Sequence, residues 1–351
     1  AALAAAKRQI RFRYELLSRD NRYKRDITTV EYGTIAFDSA ASIMRTAQFT
    51  LREDGDIDYL SARIRPVFGL RMPGEVWAEW PLGVFVMATP ERATRGRSVF
   101  RDIEAYDLNQ VLKSDGIKSR LYFRAGTRYT DAVLNVLSGA GIYTPNIVGA
   151  EDELRSDREY AVGQTRLDII NDLLAAINYT PLHPDENGAF TAYRIRDVEL
   201  ADIQYAYSTK QNSVIQDGAR EIVDYFSIPN RFIAYVSNPD GEPLVSIYEN
   251  DDPTSVYGTK NRPVVTATKQ VDDISSQREL DAYVRRLALD ATAAPHDVEF
   301  STGLMPMHGY RDVYQFDHEA LGINEIYKEL TWSMELKAGG TMFHTARMVL
   351  E

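Results

Sequence analysis

The chain contains no cysteine. Disulfides, thiolate metal sites and cysteine nucleophiles are therefore excluded, and stability has to come from packed cores and assembly. Long apolar runs are also missing. No stretch approaches the roughly 18 to 20 residues that a membrane-crossing helix needs, so no stable membrane binding is expected. The opening AALAAAKRQIRF lacks the pattern of a secretory signal, because its apolar part is short and its basic residues follow it. Nor is there an excess of positive charge: 51 acidic against 40 basic residues give a net charge of −11, which repels a phosphate backbone. The basic runs RYKRD (22–26) and RATRGR (92–97) have no aromatic platform or recognition helix beside them. Solvated strand ends or loops are their expected fate.

Catalytic signatures are absent in the same way. The chain has no G-x-S-x-G elbow, no G-x-x-x-x-G-K-[ST] phosphate loop and no H-E-x-x-H zinc helix. The five histidines (His183, His296, His308, His318 and His344) form no i, i+4 pair. His308 and His318, with Asp312 and Asp317 between them, come nearest to a metal cluster, but a strand context there predicts a solvated face. His344, in FHTAR, falls on an alternating strand and is expected to be a hydrogen-bonded sheet histidine. The carboxylate pairs Glu151/Glu153 and Asp251/Asp252 are expected to solvate a connector and a turn. No catalytic, cofactor-binding or metal-binding residue is therefore assigned, and no cofactor is expected. The 21 tyrosines suit sheet faces and interfaces, where a ring packs while its hydroxyl stays wet.

What is present is the patterning of a soluble globular chain: 351 residues, 44% hydrophobic and 26% charged, enough for two or three domains. Ile10, Phe12, Tyr14 and Leu16 alternate with charged residues, as in a half-buried strand. Further strands are expected at 27–38, 47–52, 76–80, 83–89 and 98–107, punctuated by turn residues as in a barrel or sandwich. After Asp107 the texture changes. TDAVLNVLSGAG (130–141) predicts a short helix with Thr130 as N-cap and Gly139 or Gly141 as its stop. Thr165 and Asp168 form a capping-box pattern for a second helix over 165–178, with Leu167, Ile170, Leu174 and Ile177 on one face. Pro181 and Pro184 end it, DENG (185–188) turns the chain, and a strand is expected at 190–198.

The second half predicts a hairpin, with strands at 231–237 and 243–249 around NPDGE. Ser276 and Glu279 cap a longer helix whose Leu280, Val284, Leu287 and Ala291 make an apolar stripe, ended by Pro295. Leu330, Trp332, Met334 and Leu336 alternate with Glu329, Thr331, Ser333 and Glu335, and KAGG (337–340) leads into a last strand at 341–350.

Several of these segments, taken in order, resemble the tail hub family of bacteriophages, which comprises contractile-tail baseplate hubs and the N-terminal structural part of siphophage tail-associated proteins. They are WAEWPLGVFVMATPER, VFRDIEAYDLNQVL, YTDAVLNVLSGAGI, LDIINDLLAAINYTPLHPDENGAF, IPNRFIAYVSNPDGEPLVSIYENDDPTS and the late DVYQF…ALGINEIYKELTWSMEL, together spanning about residues 30 to 350. The resemblance implies an α+β, mostly antiparallel β fold, with two tail-tube-like β-barrel modules and smaller α-containing inserted domains. Residues 1–109 would form the first barrel, 110–187 an inserted α+β domain, and 188–225 a strand return and linker. Residues 226–351 would form the second barrel, with an inserted hairpin and a helix near 276–293.

The implied role is a non-enzymatic homotrimer whose six barrels form a pseudo-hexameric ring closing the tail tube. Its partners would be a tail tube or distal tail protein ring, the tape-measure C-terminus, and spike, fibre or receptor-binding tip proteins. DNA would only pass through, and the location would be the virion tail tip or baseplate, after synthesis in the host cytoplasm. Some hubs continue into a peptidoglycan hydrolase. The match here runs to the last residues, so hydrolysis in this chain is not expected. The alternatives are a tail-associated peptidoglycan-degrading enzyme using His308, Asp312 and His318 or His344, and a carbohydrate-binding β-module.

Overall fold

The computed structural model describes residues 8–53, 55–196, 198–210, 213–223, 228–236, 244–255, 257–271, 277–292 and 296–349. Eight strands come first: β1 (Ile10–Leu17), β2 (Tyr23–Asp26), β3 (Val30–Asp38), β4 (Arg45–Arg52), β5 (Arg63–Arg71), β6 (Trp77–Pro81), β7 (Phe85–Arg95) and β8 (Ser98–Asp107). A helical stretch follows with α1 (Asn109–Ser114), β9 (Leu121–Phe123), α2 (Tyr129–Gly139), β10 (Asn146–Ile147), β11 (Arg158–Tyr160), α3 (Arg166–Ala175), β12 (His183–Pro184) and β13 (Phe190–Ala192). Then come β14 (Ile203–Ser208), β15 (Arg220–Val223), β16 (Arg231–Val236), β17 (Leu244–Glu249), β18 (Thr266–Gln270) and α4 (Gln277–Thr292). The chain ends with β19 (His296–Gly303), β20 (Val313–His318), β21 (Ile323–Glu335) and β22 (Thr341–Met348). This is an α+β fold, mostly antiparallel β, as the sequence predicts.

The chain divides into two compact units, residues 1–219 with 300–346, and residues 220–299 with 347–351. In the first unit the strands follow one hydrogen-bonded path from the second half of β19 through β22, β21, β3, β4, β8, β7, β5 and β1 to β2. The strand β6 joins β5, and β20 joins β21 with β14 parallel beside it. The strand β21 therefore serves three neighbours: β22, then β20 along its first half, and β3 along Thr331–Glu335. The helices of this unit pack over a core that includes Leu108, Leu137, Leu154, Ile170, Leu174 and Phe190.

Local chemistry explains the helix α3. The Thr165 hydroxyl accepts the Asp168 N–H at 3.2 Å, and Leu167, Ile170, Leu174 and Ile177 are all buried. The expected N-cap of α2 is corrected: the cap is Arg128, with no side-chain hydrogen bond, and Thr130 lies inside the helix with its hydroxyl 3.4 Å from the Ala150 carbonyl. The stop is right, since Gly141 takes φ +81°. In the DENG turn Asp185 accepts the N–H groups of Asn187 and Ala189, and Gly188 supplies the φ of +84° that the turn requires. The following strand is shorter than predicted, ending at Ala192.

Among the first eight strands two were not legible. RYKRD contributes β2, paired with β1, instead of a solvated end, and β5 had no alternating pattern to announce it. RATRGR forms the end of the β7–β8 hairpin, with Arg92 on Glu53 and Arg95 on Asp102.

In the second unit β16 pairs antiparallel with β17 and parallel with β18, and α4 lies across them. Phe232, Ala234, Val236, Leu280, Val284 and Ala288 form its core, with Leu287 partly buried against them. The strand β15 pairs with the first half of β19. The NPDGE turn, Ser276 and Pro295 lie outside the described residues, as does the Ala291 side chain.

Candidate functional site

Of the residues considered for chemistry, the structure brings His308, Asp312 and His344 together and adds Glu329, all four buried in the first unit. His308 and Asp312 stand in the turn before β20, Glu329 in the middle of β21 and His344 in β22. The expected solvated face at His308 and Asp312 is thus corrected. His318 is elsewhere: its Nδ1 accepts the Leu321 N–H, while Asp317 pairs with Lys210. The hydrogen-bonded sheet histidine expected at 344 is found, and it is buried.

The contacts form a chain of polar groups. Glu329 Oε2 lies 3.2 Å from His308 Nδ1 and 3.1 Å from His344 Nδ1. His344 Nε2 is 3.0 Å from the Thr302 hydroxyl, and His308 Nε2 is 2.6 Å from the Tyr207 hydroxyl. The Tyr205 hydroxyl is 2.8 Å from His308 Nδ1 and donates to Asp312 Oδ2 at 3.2 Å, where the Gly309 N–H also donates at 2.7 Å. Glu329 Oε1 and the Tyr314 hydroxyl have no hydrogen-bond partner of ordinary geometry. The rings of Tyr207, Phe300, Tyr314 and His344 pack against one another around these groups, so the wet hydroxyls expected of tyrosines do not apply here. Tyr23 and Tyr143 are the exposed kind.

Burial pushes the Glu329 carboxyl up, but the imidazoles of His344 and His308 outweigh it and leave the carboxyl below its ordinary value. Burial pushes His344 down, against the pull of Glu329, which works against a compensating imidazolium. The carboxylate direction is the one the geometry supports, since two ring nitrogens meet one oxygen and an ionised acceptor satisfies both. Burial raises Asp312, and it pushes the Tyr205 and Tyr207 hydroxyls well above their usual range, so both phenols stay protonated.

Two signals hid this cluster from the sequence. Buried positions in β21 are odd-numbered at Ile323, Tyr327 and Glu329 and even-numbered at Trp332 and Met334, so alternation read backwards from Trp332 puts Glu329 on the wrong face. The residues before β20 are irregular and carry no period. The remaining candidates are ordinary: Glu151 pairs with Arg128, and Asp252 holds a turn through Thr254.

The fold is that of phage tail proteins. The structure aligns with the tail protein from Neisseria meningitidis MC58 at a TM-score of 0.67 and 10% identity, covering 96% of each chain. It aligns with the 43 kDa tail protein of prophage MuSo2 from Shewanella oneidensis at 0.64 and 10% identity, covering 96% of this chain and 98% of that one. A chain of the Francisella PdpA–VgrG complex matches at 0.60 and 7% identity, over 98% of this chain and 58% of its own length. No protein-family model matches the sequence, and no curated protein matches it.

Proposed function

We propose that the chain is a structural, non-enzymatic hub subunit of a phage or phage-like tail tip or baseplate. The likeness in fold to two tail proteins over nearly the whole length of both partners carries this reading. Three copies would form a pseudo-hexameric ring that closes the tail tube and anchors tip or fibre proteins. The N-terminal strands (1–109) and the C-terminal region (226–351) would supply the barrel modules, and the helical stretch an inserted domain. The partners would be the tube or distal tail ring, the tape-measure C-terminus and spike or fibre proteins, in the virion after synthesis in the host cytoplasm. DNA would cross the ring on opening, and a net charge of −11 favours passage over retention.

Electron microscopy of the purified chain at high concentration, alone and with its tail tube protein, tests the reading. A three-fold ring with six lobes and a central hole is the expected result. Single compact particles under both conditions would count against it.

A further inference from the structure

Among the described residues four acidic side chains are buried: Glu15, Asp107, Asp312 and Glu329. Glu15 is held by Arg65 at 2.6 Å, and Asp107 has the buried Arg45 beside it. Glu329 differs. Among the described residues no lysine or arginine forms an ion pair with it, and its only ionic partners are His308 and His344. A carboxylate this deep in the protein needs a positive charge close by, or it destabilises the fold.

We infer that His308, Glu329 and His344 form a binding site for one divalent transition-metal ion of the zinc class. The three ligating atoms lie within 4.8 Å of one another. The Glu329-to-imidazole separations of 3.1 and 3.2 Å are close to the edge of a tetrahedral zinc shell, about 3.3 Å for bonds of about 2.0–2.1 Å, and the wider spread of the set requires the two imidazoles to draw together around the ion. The outer contacts are also of the right kind. With both Nδ1 atoms turned to an ion, each Nε2–H donates to a hydroxyl oxygen, His344 to Thr302 and His308 to Tyr207, which fixes tautomer and ring orientation.

A ligand set of two imidazoles and one carboxylate selects zinc, cobalt or iron over calcium and magnesium, which prefer all-oxygen shells. Asp312 and the Tyr205 hydroxyl border the His308 side and give the site further oxygen donors. Glu329 Oε1 is fully buried and makes no hydrogen bond of ordinary geometry, with the Tyr314 hydroxyl beside the carboxylate. One ligand, His308, also lines a cleft of about 270 Å³ whose wall includes Arg45, Met305, Met307 and Trp332.

The role is structural: an ion here would tie together β21, β22 and the turn before β20, and would offset the buried charge. The test uses the full chain without a histidine tag, stripped with a chelator and checked by circular dichroism. Elemental analysis and calorimetry then follow Zn²⁺ binding, and Co²⁺ replaces zinc to report through its visible absorption. We expect one ion per chain, a cobalt spectrum of low coordination number, and a melting temperature that falls on chelation and recovers with Zn²⁺. Glu329→Gln should weaken binding by about tenfold or more, while His318→Ala, outside the cluster, binds as the parent does. If Glu329→Gln fails to fold, the stoichiometry and cobalt spectrum of the parent chain decide. A folded, stripped chain that takes up no stoichiometric Zn²⁺ or Co²⁺ would overturn the inference and leave a purely hydrogen-bonded cluster. Unchanged binding by a folded Glu329→Gln would overturn it too.

Discussion

Arg45 is buried in β4, and its guanidinium donates to the Pro184 carbonyl at 2.7 Å while its own backbone N–H donates to Asp107 at 2.8 Å. Burial pushes Asp107 up to about 6, against its three backbone donors and the arginine charge. His183, next to Pro184 and also buried, is governed by the same desolvation, with the opposite effect on a base. It is pushed down to about 4, with Nδ1 on the Pro181 carbonyl at 2.9 Å and its ring against Tyr310. A histidine depressed in the folded state contributes stability that is present above its unfolded value of about 6.5 and is lost as pH falls through its folded value. The window here is pH 6.5 down to about 4, and the size is about 3 kcal/mol. We therefore expect His183→Gln to flatten the stability profile over that window, measured by urea unfolding at each pH. A histidine signal of His183 titrating near 6.5 in the folded protein would contradict the burial argument.

Among the elements, α3 was the most legible because its cap and its apolar face are both local properties of the sequence. The Thr165→Ala change removes the bond to the Asp168 N–H and should cost about 1 kcal/mol. Thr130→Ala in α2 tests the contrast, because Thr130 is not a cap and its loss removes only a buried methyl and a long contact to Ala150. Hydrogen exchange should show the N-terminal turn of α3 loosened by the first change, whereas the second should leave the start of α2 protected as before. Equal fraying at both helix starts would mean that capping does not distinguish them.

The strand β8 matched its predicted limits, whereas β5 contains Pro66 and Gly69 and buries Pro66, Val67, Phe68, Gly69 and Leu70 in succession, so no alternation marks it. The cluster around Glu329 was hidden for a related reason. Which face of β21 is buried depends on which neighbour it pairs with, and that is a tertiary fact absent from any local window. His344 alone was legible there, since β22 keeps a constant parity.

At the scale of the whole first unit, β21 is the strand through which the N-terminal and C-terminal strands share one path, and its register places Trp332 directly opposite Phe37 of β3. Both rings are buried and stacked, 5.7 Å between centroids and 17° between planes. The indole N–H has no hydrogen-bond partner, so the residue is held by packing alone. Trp332→Asp would place an unpaired carboxylate at this junction, a change that costs several kcal/mol and exceeds what a chain of ordinary stability tolerates. Trp332→Phe keeps an aromatic pair and should cost only part of the packing. The expected outcome is loss of soluble protein and of any ring for Trp332→Asp, and a soluble, assembling chain of lowered melting temperature for Trp332→Phe. The measurement is size-exclusion chromatography followed by electron microscopy on both. Normal assembly by Trp332→Asp would mean that the β3–β21 seam does not hold the two sets of strands together. Failure of Trp332→Phe alone to assemble, with its fold intact, would instead place the seam's surface in contact with a neighbouring subunit.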